Sequence, residues 1–96
     1  MDETELYSGT VEPSPDVLVQ TLSEEVIFLH LPSEQYYGLD ATGAAIYQRL
    51  VESDSVAEAH RQLLEEFDVP AARLQADVIR LIGNLLEQGI ITFRAA

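Results

Sequence analysis

The residues in this chain with the chemistry to act as catalysts or ligands are two histidines, a few serines and seventeen carboxylates. Their spacing argues against both roles. His30 and His60 stand apart, without HExxH or any paired ligand spacing for a metal. Each reads as a surface or hydrogen-bonded histidine. No P-loop, GxGxxG or GxSxG sequence occurs. There is no cysteine, which removes disulfides, thiolate metal sites and a cysteine nucleophile. Ser53 and Ser55 suit helix capping better than nucleophilic attack. No carboxylate has the apolar setting that tunes a general acid. Asp77, between Ala76 and Val78, comes nearest, and it reads first as a solvated carboxylate or a partner of Arg73 or Arg80. The expectation is a chain that is not an enzyme, with no metal and no cofactor.

Charge narrows the partners. Five arginines and no lysine face 17 acidic residues, for a net charge of −12 over 96 residues. Such a surface repels nucleic-acid phosphates and anionic lipid, and it favours neutral or basic partners. The length fits one domain with one modest core. No apolar run is long enough to span a bilayer. The opening MDETELYSG is acidic and lacks the apolar stretch of a signal peptide, so a cytoplasmic protein is expected.

The elements that would carry a site follow from the hydrophobic period. Residues 1–15 show no periodic apolar face, and Pro13 and Pro15 interrupt regular structure. They read as an acidic tail or loosely attached arm, with Leu6, Tyr7 and Val11 available to dock it. Residues 16–96 then form the domain. Asp16–Leu22, Val26–Leu31 and Tyr36–Leu39 are three short strands of an antiparallel meander. In the second strand, Ile27, Leu29 and Leu31 share one face, and Val26, Phe28 and His30 the other.

At Asp40 the period changes from 2 to 3.6. Asp40 is a good N-cap for a first helix over Ala41–Glu52. Ser55 and Glu58 have capping-box spacing, and Val56, Ala59, His60, Leu63 and Phe67 line a second helix. Pro70 fits the first position of a third helix running to Gln88. Gly89 and Ile90 then fit the C′ and C″ positions of a Schellman stop. Ile90–Phe93 is extended and suits a last strand. Strands followed by helices define an α+β fold, and the short corner after the second helix suits a helix-turn-helix.

The third helix has more apolar surface than one small core requires. Leu74, Val78, Leu81 and Leu85 form one stripe; Ile79, Ile82 and Leu86 form another. Either both stripes are core, or the first faces the third strand across a groove floored by Val78, Leu81 and Leu85. Gly83 within this helix suits either close approach of another backbone or no role at all. The third strand ends the meander, so one of its edges is free for protection or for docking. A peptide added there gains affinity from main-chain hydrogen bonds and specificity from side-chain pockets.

Two rival readings use the same elements. The helix-turn-helix raises DNA binding, yet residues 54–88 set three arginines against seven acidic residues, which disfavours phosphate contact. An adaptor or homodimer module would use the sheet face around Val26, Phe28 and His30.

The run YYGLDATGAAIYQRL resembles the signature of PqqD-like proteins. Tyr37, Gly38, Leu39, Asp40, Gly43, Ala44, Ile46, Tyr47 and Leu50 carry the match. LQADVIRLIGNLLEQGIIT is similar to the end of the domain in that family, and the likeness spans Pro15 to Thr92. Asp40 stands where Asn is frequent in the family, and Tyr47 where Trp is frequent. The resemblance implies a winged-helix-turn-helix-like fold, with a three-stranded sheet followed by three helices. It implies a non-catalytic recognition element for ribosomally made, modified peptides. Such elements bind the leader of a precursor peptide as an added strand between the third strand and third helix, then present it to a processing enzyme. For the lasso-peptide type, which this chain resembles in size, that enzyme is a transglutaminase-like cysteine protease. For the pyrroloquinoline quinone type it is a radical SAM enzyme. Carried over by position, the implied peptide-binding residues are Gln35, Tyr36, Tyr37 and Gly38 on the strand, with Asp77, Val78, Arg80, Leu81 and Leu85 on the helix.

Overall fold

The computed structural model describes residues 2–96. In chain order it has α1 (Glu3–Ser8), β1 (Thr10–Pro13), β2 (Val17–Thr21), β3 (Val26–His30), β4 (Gln35–Leu39), α2 (Ala41–Glu52), α3 (Val56–Glu66), α4 (Ala71–Glu87) and β5 (Ile91–Arg94). β2, β3 and β4 form the expected antiparallel meander, and β1 pairs with β5 in a separate two-stranded ribbon. The fold is α+β, with three helices following the sheet.

The N-terminal segment differs from the expected tail. Asp2 caps α1, accepting from the Glu5 backbone N–H, and Leu6 and Val11 are buried in the core. Pro13 does not prevent a strand, because it closes β1 opposite Ile91, where a proline is tolerated on an edge. The apolar residues of this segment alternate too sparsely for a period to show. Long-range docking supplies the order instead: the Tyr7 hydroxyl lies 2.7 Å from His60 Nδ1.

Phe28 anchors the interior. It is fully buried on the inner face of β3 and meets Tyr47 of α2 edge to face, with centroids 5.0 Å apart. This geometry suits the aromatic quadrupoles. Val26 is equally buried. The face of Val26 and Phe28, expected as an exposed adaptor or dimer surface, is therefore the core side of the sheet. A dimer through it would require unfolding.

The caps follow the sequence closely. Asp40 accepts from the Gly43 N–H at 2.9 Å and starts α2. Ser55 accepts from the Glu58 N–H at 3.1 Å and starts α3. The capping box is only half made, because the Glu58 carboxylate turns to Arg61 and Gln62. Those bonds, Arg61 first, hold its pKa down at about 2. Ser53 occupies the C-cap of α2, but its buried hydroxyl has no hydrogen-bond partner among the described residues. Pro70 is the N-cap of α4, one residue outside the expected position. At the other end, Ile90 N–H bonds to Leu85 O at 2.9 Å and Gly89 N–H to Leu86 O at 3.1 Å. With Gly89 at φ +74°, this is the full Schellman pair.

Candidate functional site

A guest strand needs a free ladder and a wall for its side chains. The meander has two outer strands. β2 is exposed from Leu18 to Thr21, and its Thr21 end meets α2, where Gln48 Nε2 donates to Thr21 Oγ1 at 3.2 Å. β4 runs directly into the Asp40 cap and α2, against which it packs. Its sequence, QYYGL, contains no charge and no proline, the usual guards of an edge.

The space beside β4 is bracketed at both ends. At the Leu39 end, a cavity of about 210 Å³ separates the start of α2 from α4. Asp40, Thr42, Gly43 and Ile46 line one side; Asp77, Arg80, Leu81 and Asn84 line the other. At the Gln35 end, the paired residue His30 sits so close to the end of α4 that a Cβ on Gly89 would lie 3.2 Å from its Nε2. A second, more apolar cavity of about 180 Å³ continues past Asp77 to Phe67, Val69 and Leu74.

The strand residues divide by face. Register pairs Phe28 with Tyr37 and Leu29 with Tyr36. Tyr37 therefore points to the inner side, where it packs on the core, and its hydroxyl donates to Gln35 Oε1 at 2.9 Å. Tyr36 is on the outer face and 71% exposed. Gly38 is open, with nothing within 4 Å of where a Cβ would stand.

The helix residues divide too. Asp77, Arg80 and Leu81 line the cavity, and Arg80 Nη2 donates to Asp77 Oδ1 at 2.7 Å. Of the two partners open to Asp77 in the sequence, the structure selects Arg80. Val78 and Leu85 are core residues, at 0% and 5% exposure. The buried side of α4 is Leu74, Val78, Ile82 and Leu85, which mixes the two expected stripes. The cavity floor is Leu81 with Ile46. Gly83 is exposed with no backbone nearby, so close approach does not explain it.

Thr42, Ile46 and Asn84 belong to this place and are not among the site residues expected from sequence. Their signal lay in spacing: Asp77, Leu81 and Asn84 follow one another at intervals of four and three on a helix. Ile46 lies one turn after Thr42 on α2 and is among the residues that carry the family resemblance.

No cluster of histidine and carboxylates among the described residues is placed to hold a metal ion. No described helix is long and apolar enough to cross a membrane. His60, the more enclosed histidine, has its pKa lowered by burial. The Tyr7 phenol beside it is pushed up to about 12, by burial first and then by Glu3. This pair lies on α1 and α3 and serves packing.

These features define a winged-helix-like α+β domain with an outer strand, β4, that leads to a cavity between α2 and α4. Residues 25–91 match the family described as coenzyme PQQ synthesis protein D (PqqD), and the chain belongs to that family. Among solved structures it is similar to "TbiB1 in complex with the TbiA(beta) leader peptide", with a TM-score of 0.77 and 26% identity over 83% of this chain and 93% of the other. It is also similar to "Lasso peptide synthetase B1 complexed with the leader peptide", with a TM-score of 0.76 and 27% identity over 85% and 96%. No curated protein matches the chain.

Proposed function

We propose that this protein is a non-catalytic leader-peptide-binding protein. It captures a ribosomally made precursor peptide as a strand added to β4 and delivers it to a processing enzyme. The observation that carries this reading is the unguarded β4 edge, backed by a cavity whose floor is Leu81 and Ile46. Both similar structures are described as complexes with leader peptides, which supports the same reading. Gln35, Tyr36, Tyr37 and Gly38 supply the ladder. Leu81 takes an apolar guest side chain, and Asp77 and Arg80 fix register by hydrogen bonds at the rim. Val78 and Leu85 hold α4 in place from inside the core.

The lasso type of partner, a transglutaminase-like leader-cleaving cysteine protease, is the one the similar lasso synthetase structures favour. Membership of the coenzyme PQQ synthesis protein D family favours a second partner, the radical SAM enzyme of the quinone type. Acidic charge, with no spanning helix among the described residues, fits a protein that works without nucleic acid or membrane, in the cytoplasm.

The test is a polarisation titration with a labelled leader peptide encoded beside this chain. Wild-type protein should bind at micromolar concentration or tighter, about −8 kcal/mol or better. Leu81→Glu should weaken binding about 100-fold while circular dichroism stays native. A folded Leu81→Glu variant that binds fully would remove the groove from the account. Val78 is unsuitable for this test, because a charge at a fully buried position would unfold the domain.

A further inference from the structure

The cavity of about 180 Å³ beyond Asp77 contains no residue of β4. Phe67 and Val69, in the corner between α3 and α4, and Leu74 of α4 make it apolar. Arg73, in the first turn of α4, adds a guanidinium to its lining. Thr42, Ile46 and Asp77 line both this cavity and the one at the Leu39 end of β4. The two therefore adjoin, and a chain leaving the strand edge past Leu39 meets the first and then the second.

Charge sets Arg73 apart from the other four arginines. Arg49 pairs with Glu52 and Glu66, Arg61 with Glu58 and Glu65, Arg80 with Asp77, and Arg94 with Glu12. Arg73 has no carboxylate partner among the described residues, in a chain with 17 acidic residues. Asp77 stands one helical turn further on, where the two could pair, but it accepts from Arg80 instead, at 2.7 Å. Four cations are thus matched within the protein, and the fifth is left unmatched beside an apolar cavity.

Apolar walls with one free guanidinium suit a ligand that has an apolar body and a carboxylate. We propose that this cavity takes the part of the guest that runs past Leu39. An apolar guest side chain enters beside Phe67 and Val69, an adjacent Asp or Glu pairs with Arg73, and that carboxylate sets the guest's register on β4. This assignment deepens the function proposed above and rests on it. Register needs such a device, because main-chain bonds to an edge strand are equally good after a slip of two residues. An acidic guest residue is repelled over most of a protein of net charge −12 and attracted at Arg73. A two-residue slip moves it roughly 7 Å, which loses the ion pair and restores the repulsion.

The experiment is a double-mutant cycle on the full chain, read by fluorescence polarisation. The probes are the labelled leader peptide encoded beside this chain and a set of variants, each with one Asp or Glu changed to Asn or Gln. Arg73→Gln should weaken binding of the unaltered leader about tenfold. Its circular dichroism should stay native, because Arg73 is exposed. One acidic position should account for the loss. The leader lacking that carboxylate should bind wild type about tenfold more weakly, and Arg73→Gln should weaken it no further. A folded Arg73→Gln variant that binds the unaltered leader as wild type does overturns the proposal. So does an equal loss on Arg73→Gln for every leader variant, which would make Arg73 a structural residue. Tight binding of a leader that has no acidic residue also overturns it. In each of these three cases wild type still binds leader, and the function proposed above stands. Failure of wild type to bind the unaltered leader would instead strike that function, and this proposal with it.

Discussion

Two short strands, β1 and β4, each have one neighbour and one free edge, and they are managed in opposite ways. β1 contains Pro13 and is followed by Pro15. Its partner β5 is held further by a Ser14 N–H to Ile90 O bond and by the Arg94–Glu12 ion pair. Its buried residue, Val11, is part of the core. β4 has no proline or charge, one wholly open glycine, and a cavity at its end. An edge with guards stabilises a fold; an edge without them is suited to a guest. Damage to the β1–β5 ribbon should therefore appear as lost stability, and damage along β4 and α4 as lost binding.

The largest effect is expected on the guarded side. Val11→Asp buries a charge without a partner and should cost roughly 3–5 kcal/mol in urea unfolding, a large part of a small domain's stability. Next comes Leu81→Glu, which should weaken leader binding about 100-fold, or about 2.7 kcal/mol, with the unfolding midpoint near wild type. If Leu81→Glu instead unfolds the domain, the contrast between the two edges fails.

Glycines within α4 and just past its end give smaller and opposite shifts. Gly89→Ala forces a side chain into the left-handed region and against His30, and should destabilise by about 1 kcal/mol. Gly83→Ala meets nothing and should stabilise by roughly 0.5–1 kcal/mol through helix propensity. Thermal melts of the pair check both signs.

The smallest effect is pH-dependent. Burial lowers the pKa of His60 below its ordinary 6.5. The unfolded chain then binds more protons than the folded one as pH falls through 6.5, so stability must decline with acidification across that range. His60→Gln should remove this decline in melts recorded between neutral and mildly acidic pH.

How much of this was written in the sequence depended on range. The α2 boundaries, the Asp40 and Ser55 caps and the Gly89 stop are local, and composition and spacing specify them. The β1–β5 ribbon is not local. It joins Thr10–Pro13 to Ile91–Arg94, and no periodic signal in four residues announces a partner some eighty positions away. The rival adaptor reading took the core face of the sheet as its contact surface for a related reason. Both faces of β3 are apolar, so alternation alone did not say which one α2 would cover. On α4, a helix surrounded by neighbours buries a wide arc, and Leu74, Val78, Ile82 and Leu85 share it across two stripes. Leu81, next to Ile82, was left at the cavity, and sequence spacing placed it on a stripe without fixing its depth.

The most direct measurement is amide hydrogen exchange across the full chain, with and without the leader peptide encoded beside it. A strand added at the β4 edge should slow exchange in residues 35–39, with weaker protection in α4 around Asp77 to Asn84, and leave β1 and β5 unchanged. A bound leader that protects the β1–β5 ribbon or α3, and leaves residues 35–39 exchanging as in the free protein, would contradict the account.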